Sequence, residues 1–226
     1  MLDAIVFDFD GVVVDSEPVH LECFRAVLAG EGIELSTEDY YTKYLGFDDH
    51  DCFVAVLRDN SRPIDEGRVA EMIVEKTALV QKVFSESIRP LAGAVELMRA
   101  AHEAGAAVAI CSGALREEIE IAGRTVGALE LVDVLVAARD VSRGKPDPEG
   151  YVLAMKLLGE KRGRPVDPAS TWVVEDTVAG VQAARGAGCR VLAVTNSYAR
   201  EALGEADIIV DSLADVAPED LNAPKR

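Results

Sequence analysis

Residues 4–11 read AIVFDFDG, a short apolar run that ends in two aspartates and a glycine. Four consecutive apolar residues followed by a turn signal are typical of a buried strand. Asp8 follows this run directly, where a carboxylate is costly unless it is paired or binds a cation. The alternative is that Asp8 and Asp10 only stabilise a turn before Gly11, because aspartate is common in turns.

Apolar runs followed by polar residues recur along the second half of the chain, and they predict further strands at 106–111, 132–138, 171–174, 190–194 and 207–210. Helical periodicity lies between them, at 94–104, 115–123, 148–158 and 178–187. Strands that alternate with helices indicate right-handed βαβ units around a parallel sheet. The predicted fold class is therefore α/β, with a Rossmann-like core whose parallel sheet is flanked by helices.

One stretch, residues 17–87, breaks this alternation because it shows helical periodicity and no convincing strand. The predicted helices in it cover 19–28, 37–45, 51–57 and 66–84. We therefore predict two domains, a core of residues 1–16 and 88–226 and an inserted α-helical domain of residues 17–87. The polar tail, residues 218–226, is expected to fray.

The composition restricts the classes of function. Of the 226 residues, 49% are hydrophobic, which allows a sizeable core, and the formal net charge is −17 at pH 7. We expect neither nucleic acid nor an acidic membrane as a partner, because binding their phosphates requires clustered Lys and Arg. An anionic substrate would need local cations to bind, which is one reason to expect a metal ion.

The cysteines and the apolar runs indicate a compartment. Four cysteines lie far apart with no CxxC spacing, so we expect buried free thiols rather than a zinc site or a disulfide scaffold. No basic segment followed by an apolar stretch opens the sequence, and no run approaches the ~18 apolar residues of a membrane span. The expectation is a cytoplasmic protein without a signal peptide, and a monomer.

Polar residues follow the predicted strands at their carboxyl ends, where open α/β sheets bind ligands. Ser112 follows the strand at 106–111, Lys145 lies in the loop after 132–138, and Glu175 and Asp176 follow 171–174. Converging carboxylates repel one another unless a cation is present, and ligand sets made only of oxygen favour Mg²⁺. The alternatives are a helix N-cap for Ser112 and an exposed loop position for Lys145.

Four ordered motifs resemble those of the haloacid dehalogenase superfamily of phosphohydrolases: DFDGV at 8–12, SG at 112–113, KP at 145–146 and ED at 175–176. Residues 15–20 (DSEPVH) and 174–180 (VEDTVAG) resemble the branch that contains β-phosphoglucomutase and many sugar-phosphate phosphatases. The resemblance covers nearly the whole chain. It identifies the helical insert with the mobile cap of that branch, hinged near Ser16 and Ser87.

The resemblance implies a phosphatase that acts on a small phosphorylated metabolite, with Mg²⁺ as cofactor and a phosphoaspartate as intermediate. Its implied catalytic residues are Asp8 as nucleophile, Asp10 as acid and base, Ser112 and Lys145. Its implied metal ligands are Asp8, the Asp10 carbonyl, Asp176 and Glu175.

The implied substrate contacts are the backbone near Phe9 and Gly113, and the side chains of His20, Arg116 and Lys76. From the residues alone, His20 could equally be a packing histidine and Arg116 a solvated helix arginine. The acidic residues at 48, 49 and 51 are expected to form a solvated loop.

Two departures from family patterns bear on the activity. The dehalogenases that name the superfamily lack the second aspartate of the first motif, so the presence of Asp10 favours phosphoryl transfer. The mutase cap carries a lysine before a glycine and an arginine three residues after it, whereas residues 45–49 here read LGFDD. This favours a phosphatase over a β-phosphoglucomutase-like mutase, the alternative function. A non-catalytic binding module would require the loss of a chemical residue, and none is missing.

Overall fold

The computed structural model describes residues 2–222. Within that range six strands form one parallel sheet in the order β3-β2-β1-β4-β5-β6. They are β1 (Ala4–Phe7), β2 (Ala107–Cys111), β3 (Val134–Val136), β4 (Thr171–Glu175), β5 (Arg190–Val194) and β6 (Ile208–Val210). The chain runs from β1 outward to β2 and β3 and then crosses to β4, so the direction of winding reverses beside β1.

The central strand β1 is buried on both of its faces, with all four residues fully inaccessible to solvent. Val6 lies opposite Ala109 of β2 and Val173 of β4. Burial on both faces is why β1 reads as a continuous apolar run rather than an alternating one. The expected α/β fold class is confirmed.

Helices cover the sheet on both sides. On one face, α7 (Glu149–Arg162) and α8 (Val178–Gly186) bury Tyr151 and Val181 against Val6 and its neighbours. Side chains alternate along a strand, so Ile5 points to the opposite face. The core helices that precede and follow β2 are α5 (Ala94–Glu103), which packs on β2, and α6 (Arg116–Thr125).

The described residues divide into two compact units, one of which is Ser16–Glu86. Its helices are α1 (Glu17–Gly30), the single turn α2 (Thr37–Asp39), α3 (Asp49–Asp59) and α4 (Glu66–Ser87). This unit has its own apolar core, in which Phe24 packs edge-on against Phe53. The unit is one residue offset at each end from the predicted insert, and its role as a mobile cap stays a prediction.

Two elements differ from the sequence-based expectation. The strand predicted at 132–138 is limited to Val134–Val136, because Asp140 Oδ2 accepts a hydrogen bond from the Ala137 amide at 2.8 Å and closes a 3₁₀ turn. The helix predicted at 37–45 becomes a π-helix at Tyr40–Tyr44, in which the Leu45 amide donates to the Tyr40 carbonyl.

The tail is more ordered than expected where it is described. Leu221 is buried, and its carbonyl accepts a hydrogen bond from Trp172 Nε1 at 2.8 Å. Residues 223–226 of the predicted frayed tail lie outside the described range. All four cysteines are buried free thiols, as predicted. No helix in residues 2–222 has the length and hydropathy that a membrane span requires.

Candidate active site

The carboxyl ends of neighbouring strands bring the predicted site residues of the core together. Asp8 follows β1, Glu175 ends β4 and Asp176 follows it, and one carboxylate oxygen of each lies within 4.8 Å of the others. All three are buried, with Glu175 completely inaccessible to solvent. Three buried carboxylates this close repel one another unless a cation lies among them or one of them is protonated.

Lys145 supplies one of these cations. Its Nζ atom lies 2.8 Å from Asp8 Oδ1 and 2.6 Å from Glu175 Oε1, and its side chain is only 19% exposed. Lys145 is therefore not an exposed loop lysine. Its ammonium bridges the end of β1 to the end of β4.

The pKa values in this cluster reflect burial and crowding. Burial raises the pKa of Asp8 well above its usual value, against the attraction of Lys145 and with the repulsion of Glu175 and Asp176. Burial likewise raises the pKa of Asp176 to about 7, against the hydrogen bond from Ser197. Burial alone would raise the pKa of Glu175, but Lys145 and the hydrogen bonds to its carboxylate lower it. The negative charge of three ionised carboxylates would therefore exceed the single positive charge of Lys145.

Glu175, a predicted metal ligand, already uses both of its carboxylate oxygens. Oε1 accepts hydrogen bonds from Lys145 and from the Tyr151 hydroxyl, each at 2.6 Å. Oε2 accepts from the amides of Asp176 and Thr177 and from Thr177 Oγ1, at 3.0, 3.1 and 2.9 Å. Through these contacts Glu175 holds Lys145 in place. This role does not depend on a contact between Glu175 and an ion.

Asp176 is different because one of its oxygens is orphaned. Oδ2 accepts a very short hydrogen bond from Ser197 Oγ. Oδ1 is buried and has no hydrogen-bond partner within residues 2–222. A buried carboxylate oxygen without a partner is costly. Together with the oxygen-only donor set, this orphaned atom fits a hard divalent cation such as Mg²⁺.

The turn after β1 is fixed by its own backbone. The Phe9 carbonyl accepts hydrogen bonds from the amides of Val13 and Val14 at 2.7 and 3.1 Å, and Phe9 itself is buried. Gly11 has a φ of +72°, and a Cβ there would lie 2.0 Å from Asp176 Oδ2. Glycine is required at this position both for the left-handed backbone and for the close approach of Asp176.

Ser112 links the end of β2 to the same turn. Its hydroxyl lies 3.4 Å from Asp10 Oδ2 and accepts a hydrogen bond from the Ala114 amide at 3.0 Å. The residue that precedes α6 is Leu115, so Ser112 is not the N-cap of that helix. A cavity of about 150 Å³ opens beside Ser112, Gly113 and Lys145, and a Cβ at Gly113 would meet no atom within 4 Å.

The sequence model of the haloacid dehalogenase-like hydrolases matches residues 2–188, a span that contains this whole cluster except Ser197. The chain belongs to the haloacid dehalogenase-like hydrolase family. One relative is similar to this chain over nearly the full length of both chains. Validoxylamine A 7'-phosphate phosphatase of Streptomyces hygroscopicus subsp. limoneus is 31% identical over 228 residues, which cover 96% of each chain.

Solved structures of the family agree with this assignment. CbbY from Rhodobacter sphaeroides, solved in complex with phosphate, superposes with a TM-score of 0.82 at 26% identity and covers 95% of this chain and 96% of its own. Another structure of CbbY holds xylulose-(1,5)bisphosphate. A putative β-phosphoglucomutase from Thermotoga maritima gives a TM-score of 0.77 at 26% identity, covering 97% of this chain and 96% of its own. The predicted enzyme class, a phosphoric monoester hydrolase of this family, is confirmed.

Two predicted substrate contacts, His20 and Lys76, lie in the Ser16–Glu86 unit of this hydrolase. Lys76 is only 2% exposed, forms a very short ion pair with Asp49, and lies 4.3 Å from the centre of the Phe24 ring. His20 Nδ1 is 3.0 Å from Lys76 Nζ. Burial, reinforced by Lys76, lowers the pKa of His20 to about 3. Asp49 is therefore not part of a solvated acidic loop, because its charge is committed to Lys76.

Arg116, a third predicted substrate contact, is not brought to the cluster. Its guanidinium donates to Asp140 Oδ2 at 2.6 Å and to the Leu135 carbonyl at 3.0 Å. These bonds attach the start of α6 to the end of β3. Substrate contact by Arg116 stays a prediction.

Sequence reasoning missed two residues that touch the acidic cluster, Tyr151 and Ser197. Tyr151 follows Lys145 by six positions on α7, and its buried hydroxyl reaches Glu175. Ser197 lies just after β5, at the same edge of the sheet as the other polar residues. Its place at the carboxyl end of a strand is the signal that could have identified it.

Proposed function

We propose that this hydrolase is a magnesium-dependent phosphatase that cleaves a small phosphorylated metabolite, such as a sugar phosphate, through a phosphoaspartate on Asp8. The observation that carries the proposal is the position of Asp8. Its carboxylate directly follows the central strand, contacts Lys145 at 2.8 Å, and lies in one cluster with Asp176, which has an orphaned oxygen. This arrangement suits a nucleophilic carboxylate among cations.

In the first step a carboxylate oxygen of Asp8 attacks phosphorus, and the bond from phosphorus to the leaving oxygen breaks. Asp10 gives its proton to that oxygen, so the dephosphorylated metabolite leaves as an alcohol. Asp10 then takes a proton from water, and this water attacks the phosphorus of the acyl phosphate. The Asp8–phosphorus bond breaks, which releases inorganic phosphate and restores the carboxylate.

Residues of the chain oppose the negative charge of the transferring group. Lys145 contacts Asp8 and is held by Glu175, so its ammonium stays beside the reacting carboxylate. Ser112 and the amides near Phe9 and Gly113 donate hydrogen bonds to the phosphoryl oxygens. The open space beside Gly113 leaves room for such a group.

Asp8, Asp176 and the Asp10 carbonyl would hold Mg²⁺, with Glu175 beside them. When bound, the ion offsets the repulsion between the Asp8 carboxylate and a phosphate dianion. The support in this chain is the excess of buried carboxylate over Lys145 and the orphaned Asp176 oxygen.

The relatives support the substrate class. One is named as a phosphatase of validoxylamine A 7'-phosphate, and CbbY was solved with phosphate and with xylulose-(1,5)bisphosphate. Each of these organic molecules is a small, phosphorylated compound. We therefore place the substrate of this chain among small organic phosphates, sugar phosphates first.

The mutase alternative has the structural similarity to a putative β-phosphoglucomutase in its favour. The charge of the Ser16–Glu86 unit opposes it. Leu45 and Asp49 stand where the mutase has cations, and Asp49 neutralises the buried Lys76. Without a free cation at these positions, the Ser16–Glu86 unit would bind the second phosphate of a bisphosphate intermediate weakly.

A phosphate-release screen over phosphorylated metabolites tests the function. Wild-type protein is stripped of metal with a chelator and assayed with and without added Mg²⁺, beside Asp8→Asn and the exposed control Asp215→Asn. We expect phosphate release from at least one sugar phosphate only with Mg²⁺, lost in Asp8→Asn and retained in the control.

The same screen separates the alternatives. Conversion of β-glucose 1-phosphate to glucose 6-phosphate, primed by a bisphosphate and with little free phosphate, would identify a mutase. Phosphate release that survives both chelation and Asp8→Asn would refute the proposed chemistry.

A further inference from the structure

The two carboxylate oxygens of Asp176 differ in their hydrogen bonds. Oδ2 accepts a hydrogen bond from Ser197 Oγ, whereas Oδ1 is buried and has no partner in the described part of the chain. A carboxylate can rotate and exchange its oxygens unless a neighbour holds one of them. The serine hydroxyl therefore decides which oxygen of Asp176 remains available.

The loop that carries Ser197 is anchored at both sides. Thr195 Oγ1 donates to Asp211 Oδ1 at 2.9 Å, which ties the end of β5 to the residue after β6. Arg200 donates to the same carboxylate oxygen and to the Ile209 carbonyl, both at 2.7 Å. Ser197 lies between these anchors, so its hydroxyl is presented by a held backbone rather than by a free loop end.

The same loop also holds the turn after β1. Asn196 Nδ2 donates to the Gly11 carbonyl at 2.7 Å. A Cβ at Gly11 would lie 2.0 Å from Asp176 Oδ2 and 3.1 Å from Ser197 Oγ. Gly11, Asp176 and Ser197 thus pack against one another, and the missing side chain of Gly11 leaves the space for the serine–aspartate pair.

We infer that Ser197 is a positioning residue, which fixes Asp176 through Oδ2 so that Oδ1 is presented to the divalent cation; this rests on the proposed function. In this role Ser197 acts through Asp176 and contacts neither substrate nor ion. Hydrogen-bonding partners of metal ligands orient those ligands, and their removal commonly costs about 10- to 100-fold in metal affinity.

Direct ion binding by the metal-free full-length protein tests the inference. Free and bound Mn²⁺ are distinguished by electron paramagnetic resonance, and Mg²⁺ is titrated in competition. The proteins are wild type, Ser197→Ala, Ser197→Thr and the control Ser170→Ala. Ser170 is matched because its hydroxyl donates to Asp167 Oδ2 at 2.8 Å, just before the opposite end of β4.

We expect Ser197→Ala to raise the dissociation constant of the ion about tenfold. Ser197→Thr restores the affinity because it keeps the hydroxyl, and Ser170→Ala binds like wild type. In thermal unfolding without metal, Ser197→Ala is expected to melt a few degrees below wild type, because the buried Asp176 carboxylate loses one hydrogen bond, and to be fully folded at the temperature of the ion titration.

Three results would overturn the inference in distinguishable ways. Equal ion affinity of wild type and Ser197→Ala would show that Ser197 does not position Asp176. A loss of affinity in a Ser197→Ala protein that is already partly unfolded at the titration temperature, and that Ser197→Thr does not restore, would make the effect one of folding. Failure of wild type to bind either ion would remove the metal site of the proposed function, and the inference with it.

Discussion

Glu175 is the residue on which the charge arrangement of the cluster depends. It is completely buried, and it receives Lys145 from 30 positions and Tyr151 from 24 positions earlier in the chain. The apolar run before Glu175 predicts a strand, which places this carboxylate at a strand end. In the structure β4 does end at Glu175. The sequence does not show that both oxygens are already occupied, because the partners arrive through tertiary contacts.

Tyr151→Phe removes one donor to Glu175 and keeps the ring that lies 5.2 Å from Lys145 Nζ. We expect the free energy of unfolding to fall by about 1–2 kcal/mol, because a buried carboxylate loses a hydrogen bond while Lys145 remains. We also expect kcat to fall about tenfold, because a cost of about 1.4 kcal/mol in the alignment of Lys145 corresponds to that factor.

Chemical denaturation and phosphate release measure both effects of Tyr151→Phe. Tyr198→Phe, the same change on an exposed tyrosine, is the matched control and is expected to behave like wild type. If the two variants were equal in both assays, the hydrogen bond from Tyr151 would have no part in holding the cluster.

Helix α8 begins in direct contact with this cluster. Thr177 Oγ1 accepts a hydrogen bond from the Gly180 amide at 3.0 Å and donates to Glu175 Oε2 at 2.9 Å. Thr177 is the N-cap of this helix, whose predicted range began at residue 178. The cap therefore also fixes the carboxylate that holds Lys145.

Gly180→Ala tests how closely α8 approaches Glu175. A Cβ at this position would lie 1.7 Å from Glu175 Oε1, so the carboxylate has to move. We expect a loss of about 1–3 kcal/mol in the free energy of unfolding, as for other overpacked sites, and loss of phosphate release.

The control for Gly180→Ala is Gly186→Ala in the same helix. There a Cβ meets its nearest atom, in Pro148, at 3.4 Å, an ordinary contact. This control is expected to retain activity and, by helix propensity, to gain at most about 1 kcal/mol. Full activity of Gly180→Ala would mean that the observed approach is not needed for function.

Helices α1, α3 and α4 bring His20, Asp49 and Lys76 together in the Ser16–Glu86 unit. Periodicity predicted the three helices, although it began the second at residue 51 and left Asp49 in a loop. It could not show that Asp49 pairs with Lys76 from 27 positions away. Periodicity also could not predict the π-helix at Tyr40–Tyr44, because this turn differs from an α-helix in its hydrogen-bond partners.

The burial of His20 predicts a pH-dependent stability. Its pKa is lowered to about 3 in the folded protein, whereas an unfolded histidine titrates near ~6.5. Between these values the unfolded state binds more protons, so the contribution of His20 is fully present above ~6.5 and is lost as the pH falls. The expected slope is on the order of 1 kcal/mol per pH unit.

Denaturation of wild type and His20→Gln at about pH 7 and about pH 5 measures this contribution. The other titrating groups are shared by both proteins, so the difference between their slopes reports His20. Wild type is expected to lose more stability on acidification than the variant. Parallel losses in the two proteins would show that His20 titrates normally in the fold.

At the scale of the whole chain, the sheet is the part that the sequence predicts best. Strands β1 and β5 begin and end where the apolar runs do, because they are buried and bounded by polar residues. The carboxyl ends of such strands gather Asp8, Ser112 and Asp176. The sequence did not show that the guanidinium of Arg116 pairs with Asp140, because this partner lies 24 positions away.

The net charge of −17 predicts how salt affects turnover. The long-range field of the protein repels an anionic substrate, and this repulsion is screened over about 10 Å at ~0.1 M ionic strength. With Mg²⁺ saturating, kcat/KM for a sugar phosphate is expected to rise about two- to threefold between ~0.02 and ~0.2 M salt. The kcat value serves as the internal control and stays constant. A fall in kcat/KM with salt would indicate electrostatic attraction of the substrate instead.

The covalent state of Asp8 during turnover tests the proposed chemistry most directly. The substrate is a sugar phosphate that carries the radiolabel on its phosphoryl group, and turnover with Mg²⁺ is quenched in acid. Label on the quenched protein is counted first. The protein is then reduced with borohydride and digested for mass spectrometry. We predict label on the quenched protein and reduction of Asp8 to homoserine, with neither in Asp8→Asn. Label on a different residue, or continued phosphate release by Asp8→Asn without any label, would contradict a phosphoaspartate at this position.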